Sequence, residues 1–216
     1  MSKNIVFLSA GHGGSDPGAC ANGLKEKDIN LRVLLACKSE LERHGVKVVA
    51  SRVRDENDPV AAEVKEANAS GATVAVSFHV NAGGGDGFEA FYYATSAKGK
   101  RLAGLGEKYI KALGQNSRGL KAGDHLYFIK HTKMAAVLFE SFFVDNKADK
   151  RIGDTVAEMQ ALGVAYARAI LEYLGIAYKA PGGALYRVQV GAYSDRTAAV
   201  KLRDELQKKG YPAVIV

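Results

Sequence analysis

The sequence predicts an α/β protein: a mainly parallel, twisted sheet of about six strands flanked by helices, then a small C-terminal βαβ-type unit. Short β-rich runs alternate with stretches whose apolar residues recur at helical spacing, the pattern of strands joined by packed helices. The run Ala135-Ala136-Val137-Leu138-Phe139 is apolar throughout, as a central strand covered on both faces should be. The stretch Ala180-Pro181-Gly182-Gly183-Ala184 then interrupts the pattern and reads as a linker.

Strands are expected at residues 4–9, 46–51, 73–78, 88–93, 126–129 and 136–142. Ile29, Val33, Cys37 and Leu41 recur every four residues and mark one helix. Leu102, Leu105, Tyr109 and Leu113 mark a second, and Met159, Gly163, Tyr166, Ile170 and Tyr173 a third. These elements place a first domain at residues 1–176, a linker at 177–184 and a final unit at 185–216. In that unit a strand at 185–190, a helix at 197–209 with Ala199, Leu202 and Leu206 inward, and a strand at 212–216 are expected. A unit of that size is too small to be stable without partners.

A hydrophobic fraction of 47% allows a normal buried core, and no run of 18 apolar residues occurs, so no transmembrane segment is expected. The apolar run Ile5-Val6-Phe7-Leu8 is too short for a signal-peptide core. Synthesis in the cytoplasm without a secretory signal is therefore expected. The net charge of +7 favours polyanionic partners, but no Arg-rich stripe interleaved with aromatics points to nucleic acid. Cys20 and Cys37 are no disulfide framework.

Ligands of an open α/β sheet gather at the carboxyl ends of its strands. His12 follows the first strand in a glycine-rich turn, and His79 closes the third. Each histidine alone reads equally well as structural. Glu26 begins the helical stripe of Ile29 and Val33, where a carboxylate facing the core is costly unless it is paired or binds a metal. Its other reading is a first-turn carboxylate favoured by the helix dipole. Two histidines and a carboxylate match a common catalytic zinc site, although their spacing is not a local motif. Glu140 ends the buried run, where desolvation raises a carboxyl pKa and suits a group that takes and returns a proton. A buried salt bridge is its alternative.

The segments Gly11-His12-Gly13-Gly14, Asp16-Pro17-Gly18-Ala19, Leu24-Lys25-Glu26, Ser77-Phe78-His79-Val80-Asn81-Ala82 and Val137-Leu138-Phe139-Glu140, with Asn146, resemble the zinc-dependent N-acetylmuramoyl-L-alanine amidases. These are bacterial autolysins and phage endolysins. The resemblance spans residues 4 to about 175. It implies that His12, Glu26 and His79 bind Zn2+, that Glu140 is the catalytic carboxylate, and that Asn81 supports substrate binding. The implied partner is peptidoglycan, reached after release from the cell. Ser51-Arg52 resembles a Thr-Arg pair of the family, whereas Glu63, Ala135, Ala136 and His131 depart from its pattern and bear on substrate contacts.

The tail Tyr186-Arg187-Val188-Gln189-Val190-Gly191-Ala192-Tyr193, with Ala199, Leu202, Leu206, Gly210 and Tyr211, resembles the first half of a SPOR domain, a module associated with peptidoglycan glycan strands. Gln189 and Tyr193 are the glycan contacts this implies, or else they bond within their own sheet. An open sheet edge invites pairing, so a homodimer through residues 184–216 is expected, with docking on the catalytic domain as the alternative. Among other chemistries, a phosphate cradle lacks the Gly-Lys-Ser/Thr ending. A cysteine hydrolase using Cys20 with His79 lacks an identifiable activating group.

Overall fold

A computed structural model describes residues 4–181, 190–211 and 213. Contacts divide the chain into two units, Met1–Lys179 and Ala180–Val216. In the first, the strands are β1 (Ile5–Ala10), the short hairpin pair β2 (Cys20–Ala21) and β3 (Leu24–Lys25), β4 (Lys47–Ala50), β5 (Val74–Asn81), β6 (Phe88–Tyr92), β7 (Ser117–Ala122) and β8 (Ala135–Phe143). The helices are α1 (Glu26–Arg43), α2 (Val60–Ala69), α3 (Ala97–Lys111), α4 (Tyr127–His131) and α5 (Val156–Leu174).

Six strands form one sheet in the order β4-β1-β5-β8-β6-β7. The first four of that order run parallel; β6 lies antiparallel to β8, and β7 parallel to β6. The starts of β6 and β7 therefore lie at the same end of the sheet as the carboxyl ends of β1, β5 and β8. That geometry decides which side chains share one end of the sheet.

Alternation along the strands sorts side chains between two unequal faces. Val6, Leu8, Val76, Phe78, Val137 and Phe139 join the large core beneath α1, α3 and α5. Phe139 stacks on Tyr166 at 4.6 Å between ring centroids, and the Tyr166 hydroxyl lies 2.8 Å from the Ser141 hydroxyl. The opposite face carries a smaller core of Phe7, Ala75, Ala136 and Leu138 under Val64 and Ala67 of α2 and Phe128 and Ile129 of α4. Those two short helices leave the far end of this face open, and the polar residues Ser9, Ser77, His79, Glu140 and Glu89 follow the same alternation onto it.

Several expectations need correction. Residues 126–129 are not a strand but the start of α4, whose Phe128 and Ile129 enter the smaller core. Periodicity cannot separate strand from helix in a four-residue apolar run. The sixth strand is instead β7, in which Arg118, Gly119 and Lys121 give little β signal. The buried stripe of α3 is Leu102, Ala103, Gly106 and Ile110 rather than Leu102, Leu105, Tyr109 and Leu113; Leu113 lies beyond the helix and is 41% exposed.

The second unit contains α6 (Arg196–Lys208), capped by Asp195, whose carboxylate accepts from the Thr197 and Ala198 amides. Ala199, Leu202 and Leu206 are half-buried, and α6 has no fully buried residue. The expected strands at 185–190 and 212–216 fall almost wholly outside the described residues, as does Gln189. Among the described residues no helix is long and apolar enough to cross a membrane.

Candidate metal centre

The β1–α1 connection and the first residue of α1 supply two of the site's side chains. His12 sits there with φ at 64°, a left-handed conformation uncommon outside glycine. Gly11 makes room beside it: a Cβ on that residue would meet the His79 ring at 2.1 Å. Arg52, 2% exposed, fixes this connection from beneath. Its guanidinium donates to the carbonyls of Ala10 and Gly11 just before His12, of Lys27 just after Glu26, and of Arg54. One buried cation thus ties the segments that carry His12 and Glu26 together by satisfying carbonyls that would otherwise be stranded.

Glu26 is the first residue of α1 and is 4% exposed. Its Oε2 lies 3.2 Å from His12 Nε2 and accepts the Ala19 amide at 2.9 Å. Its Oε1 lies 2.9 Å from His79 Nδ1 and accepts the Val80 amide at 3.2 Å. On the far side of its ring, His12 Nδ1 meets Asp16 Oδ2 at 2.8 Å, which fixes the ring so that Nε2 faces Glu26. The structure thus brings His12, Glu26 and His79 together from three separate elements.

Burial alone would raise the Glu26 pKa, but hydrogen bonds from His12 and His79 hold it far below the carboxylate range. The bond to Glu26 pushes His12 up to about 9 against its own desolvation. Burial would depress His79, yet Glu26 and the charge of Glu140 raise it.

One donor atom from each of the three residues falls within 4.8 Å of the others, the cluster expected of a metal site. Two donors about 2.0–2.1 Å from a tetrahedral ion stand about 3.3 Å apart, close to the 3.2 and 2.9 Å separations found here. Two imidazoles and a carboxylate with a carboxylate-braced histidine therefore fit zinc in both distance and donor chemistry.

Glu140 pairs in register with His79 on β5 and with Glu89 on β6. Its Oε2 is enclosed without a hydrogen-bond partner. Desolvation, reinforced by the charges of Glu26 and Glu89 and opposed by His79, raises its pKa to about 7. Asn81 turns away from the cluster: its amide lies 3.5 Å from Glu89 Oε2, and its side-chain carbonyl accepts the Ala82 amide.

Residues 6–172 match the N-acetylmuramoyl-L-alanine amidase family. The chain belongs to that family. It is an amidase of peptidoglycan and acts in cell-wall lysis. The amidase CwlM of Bacillus licheniformis is 33% identical over 98% of this chain and 84% of its own length. The endolysin of Bacillus phage SPP1 is 38% identical over 94% of this chain and 78% of its own. The catalytic domain of the amidase CwlV from Bacillus (Paenibacillus) polymyxa superposes with a TM-score of 0.75 at 30% identity, over 81% of this chain and 99% of that one. Residues 154–216 match the SPOR domain, although residues 154–179 fold here with the first unit and contain α5.

Other residues of the amidase complete its site or drop out of it. Glu63, a departure from the family pattern, is 3% exposed and accepts the Ser9 hydroxyl at 2.8 Å; burial raises its pKa to about 7. It lies behind the strand ends, bonded to Ser9 of β1. Cys20 Sγ contacts the Gly18 carbonyl at 3.7 Å, and among the described residues no imidazole bonds to it. Glu89, Arg118 and Lys121 were not singled out in the sequence. The one available signal was a carboxylate within the apolar run Phe88-Glu89-Ala90-Phe91.

Because its pKa is raised, His12 attracts Glu26 fully below about pH 6.5, and this attraction fades as pH rises through about 9. A cation binding at Nε2 must displace the same proton. Zinc affinity of the chelator-treated amidase should therefore climb between pH 6 and 9, with proton release visible by calorimetry in buffers of different ionisation enthalpy. A pH-independent affinity would contradict the assignment of His12 as a ligand.

Proposed function

We propose that His12, Glu26 and His79 hold a zinc ion and that Glu140 is the proton carrier in hydrolysis of the amide joining N-acetylmuramic acid to L-alanine. The observation that carries this reading is the side-by-side placement of the three-residue cluster and one enclosed, unpartnered carboxylate. Bound there, the ion would polarise the scissile carbonyl and bring the pKa of a water down toward about 7.

The chain's own residues do the rest. Glu26 balances positive charge in the cluster and, through the Ala19 and Val80 amides, stays fixed between the imidazoles. Asp16 fixes the His12 ring. Glu140 takes the proton as water oxygen bonds to the carbonyl carbon, then returns it to the alanine nitrogen as the C–N bond breaks. A carboxyl pushed up to about 7 is suited to both halves of that transfer near neutral pH. Glu140→Gln, which keeps shape but cannot accept the proton, should retain one zinc per chain and lose at least about a hundredfold in turnover of purified sacculi. Wild-type turnover would remove Glu140 from the mechanism.

For the second unit we propose wall binding combined with homodimerisation through residues 184–216. Among the described residues α6 has no fully buried side chain, and Val190, Tyr193 and Tyr211 are 62%, 50% and 62% exposed. That apolar surface supports pairing with a second copy, and the exposure of Tyr193 supports its reading as a glycan contact. Light scattering should give a dimer for the full chain and a monomer once residues 184–216 are removed. A monomer both before and after the deletion would rule the dimer out.

A further inference from the structure

The row of polar side chains on the open face does not stop at Glu140. Its neighbour Glu89 is buried, with only 5% of its side chain exposed, yet it holds two cations, Arg118 through Nε and Lys121 through Nζ. Those cations are 43% and 38% exposed. Arg118 also lies over the Phe143 ring at 5.2 Å and Lys121 over Phe91 at 6.0 Å, which limits where each can point. Among the described residues neither side chain hydrogen-bonds any other acceptor. Two positive groups against one negative leave the cluster with unspent positive charge facing solvent.

The chemistry at Glu140 decides which part of the substrate reaches it. A group that returns its proton to the departing nitrogen must lie on the peptide side of the scissile bond. The peptide therefore extends from the metal centre past Glu140, toward β6 and β7. Neighbouring strands stand about 4.8 Å apart, and an extended peptide advances about 3.3–3.6 Å per residue. The stem residue after L-alanine would then lie over Glu89, the register partner of Glu140, within reach of Arg118 and Lys121.

We propose that Arg118 and Lys121 form a carboxylate subsite that selects stem peptides bearing a free α-carboxylate on the residue following L-alanine. The subsite rests on the amidase reading of Glu140. Glu89 is its positioning residue: it anchors both cations by charge-assisted bonds while leaving the Arg118 Nη atoms to grip substrate. A purely structural cluster tying β6 to β7 would have no reason to discriminate between substrates.

The test uses the full zinc-loaded chain and two muramoyl peptides that differ only in that carboxylate, free in one and a carboxamide in the other. The wild type should favour the free acid by about tenfold or more in kcat/KM, the size of a charge-assisted hydrogen bond. Arg118→Gln and Lys121→Gln should each shrink that ratio, and the pair together should bring it toward one. Because the double variant strands Glu89, the triple variant that also carries Glu89→Gln is measured beside it. An unselective wild type, or folded zinc-replete variants that keep the wild-type ratio, would overturn the subsite. A wild type that cleaves neither peptide would remove the amidase reading beneath it.

Discussion

A carboxylate taken out of water costs several kcal/mol unless positive charge or polar hydrogens meet it, and Glu26 is almost entirely out of water. Everything around the site answers that demand. His12 and His79 face its two oxygens, the Ala19 and Val80 amides donate to them, and Asn30 contributes a further, longer bond at 3.4 Å. The arrangement ties the connection after β1, the start of α1 and the end of β5 to a single point. Arg52 holds the same segments from below through their carbonyls, so the cluster is preorganised by the fold and not by one loop alone.

The mixed sheet then determines what stands next to that point. Since β6 and β7 run against the other four strands, their first residues share an end with the last residues of β5 and β8. His79, Glu140 and Glu89 therefore line up across three adjacent strands, with Arg118 and Lys121 at the margin. Short α2 and α4 leave this end of the face uncovered, whereas α1, α3 and α5 bury the opposite face. Water is partly excluded around Glu140 and admitted at the cations.

The amidase's sequence exposes this plan unevenly. His12 follows an apolar parallel strand, His79 and Glu140 lie toward the carboxyl ends of two more, and Glu26 heads a clear helical stripe. These patterns draw attention to all four, and the family resemblance supplies their roles. Glu89 escapes because it lies near the start of an antiparallel strand, where that reasoning does not look. Its strand partner β7 escapes too, since Gly119 and two cations weaken its pattern. The misread segment at 126–129 fails for the converse reason: four apolar residues satisfy either period, and only packing against the smaller core selects the helix. The short α2, which buries Glu63 behind the strand ends, is likewise not marked by the sequence pattern.

The most direct measurement of the central claim is zinc-edge X-ray absorption on the metal-loaded amidase, wild type and Glu26→Gln. Two imidazole nitrogens with oxygen donors at about 2.0–2.2 Å in four-coordinate geometry are predicted for the wild type, and the substitution should disturb that shell. A sulfur shell at about 2.3 Å, or a signal indifferent to Glu26, would show that the three side chains do not share one ion.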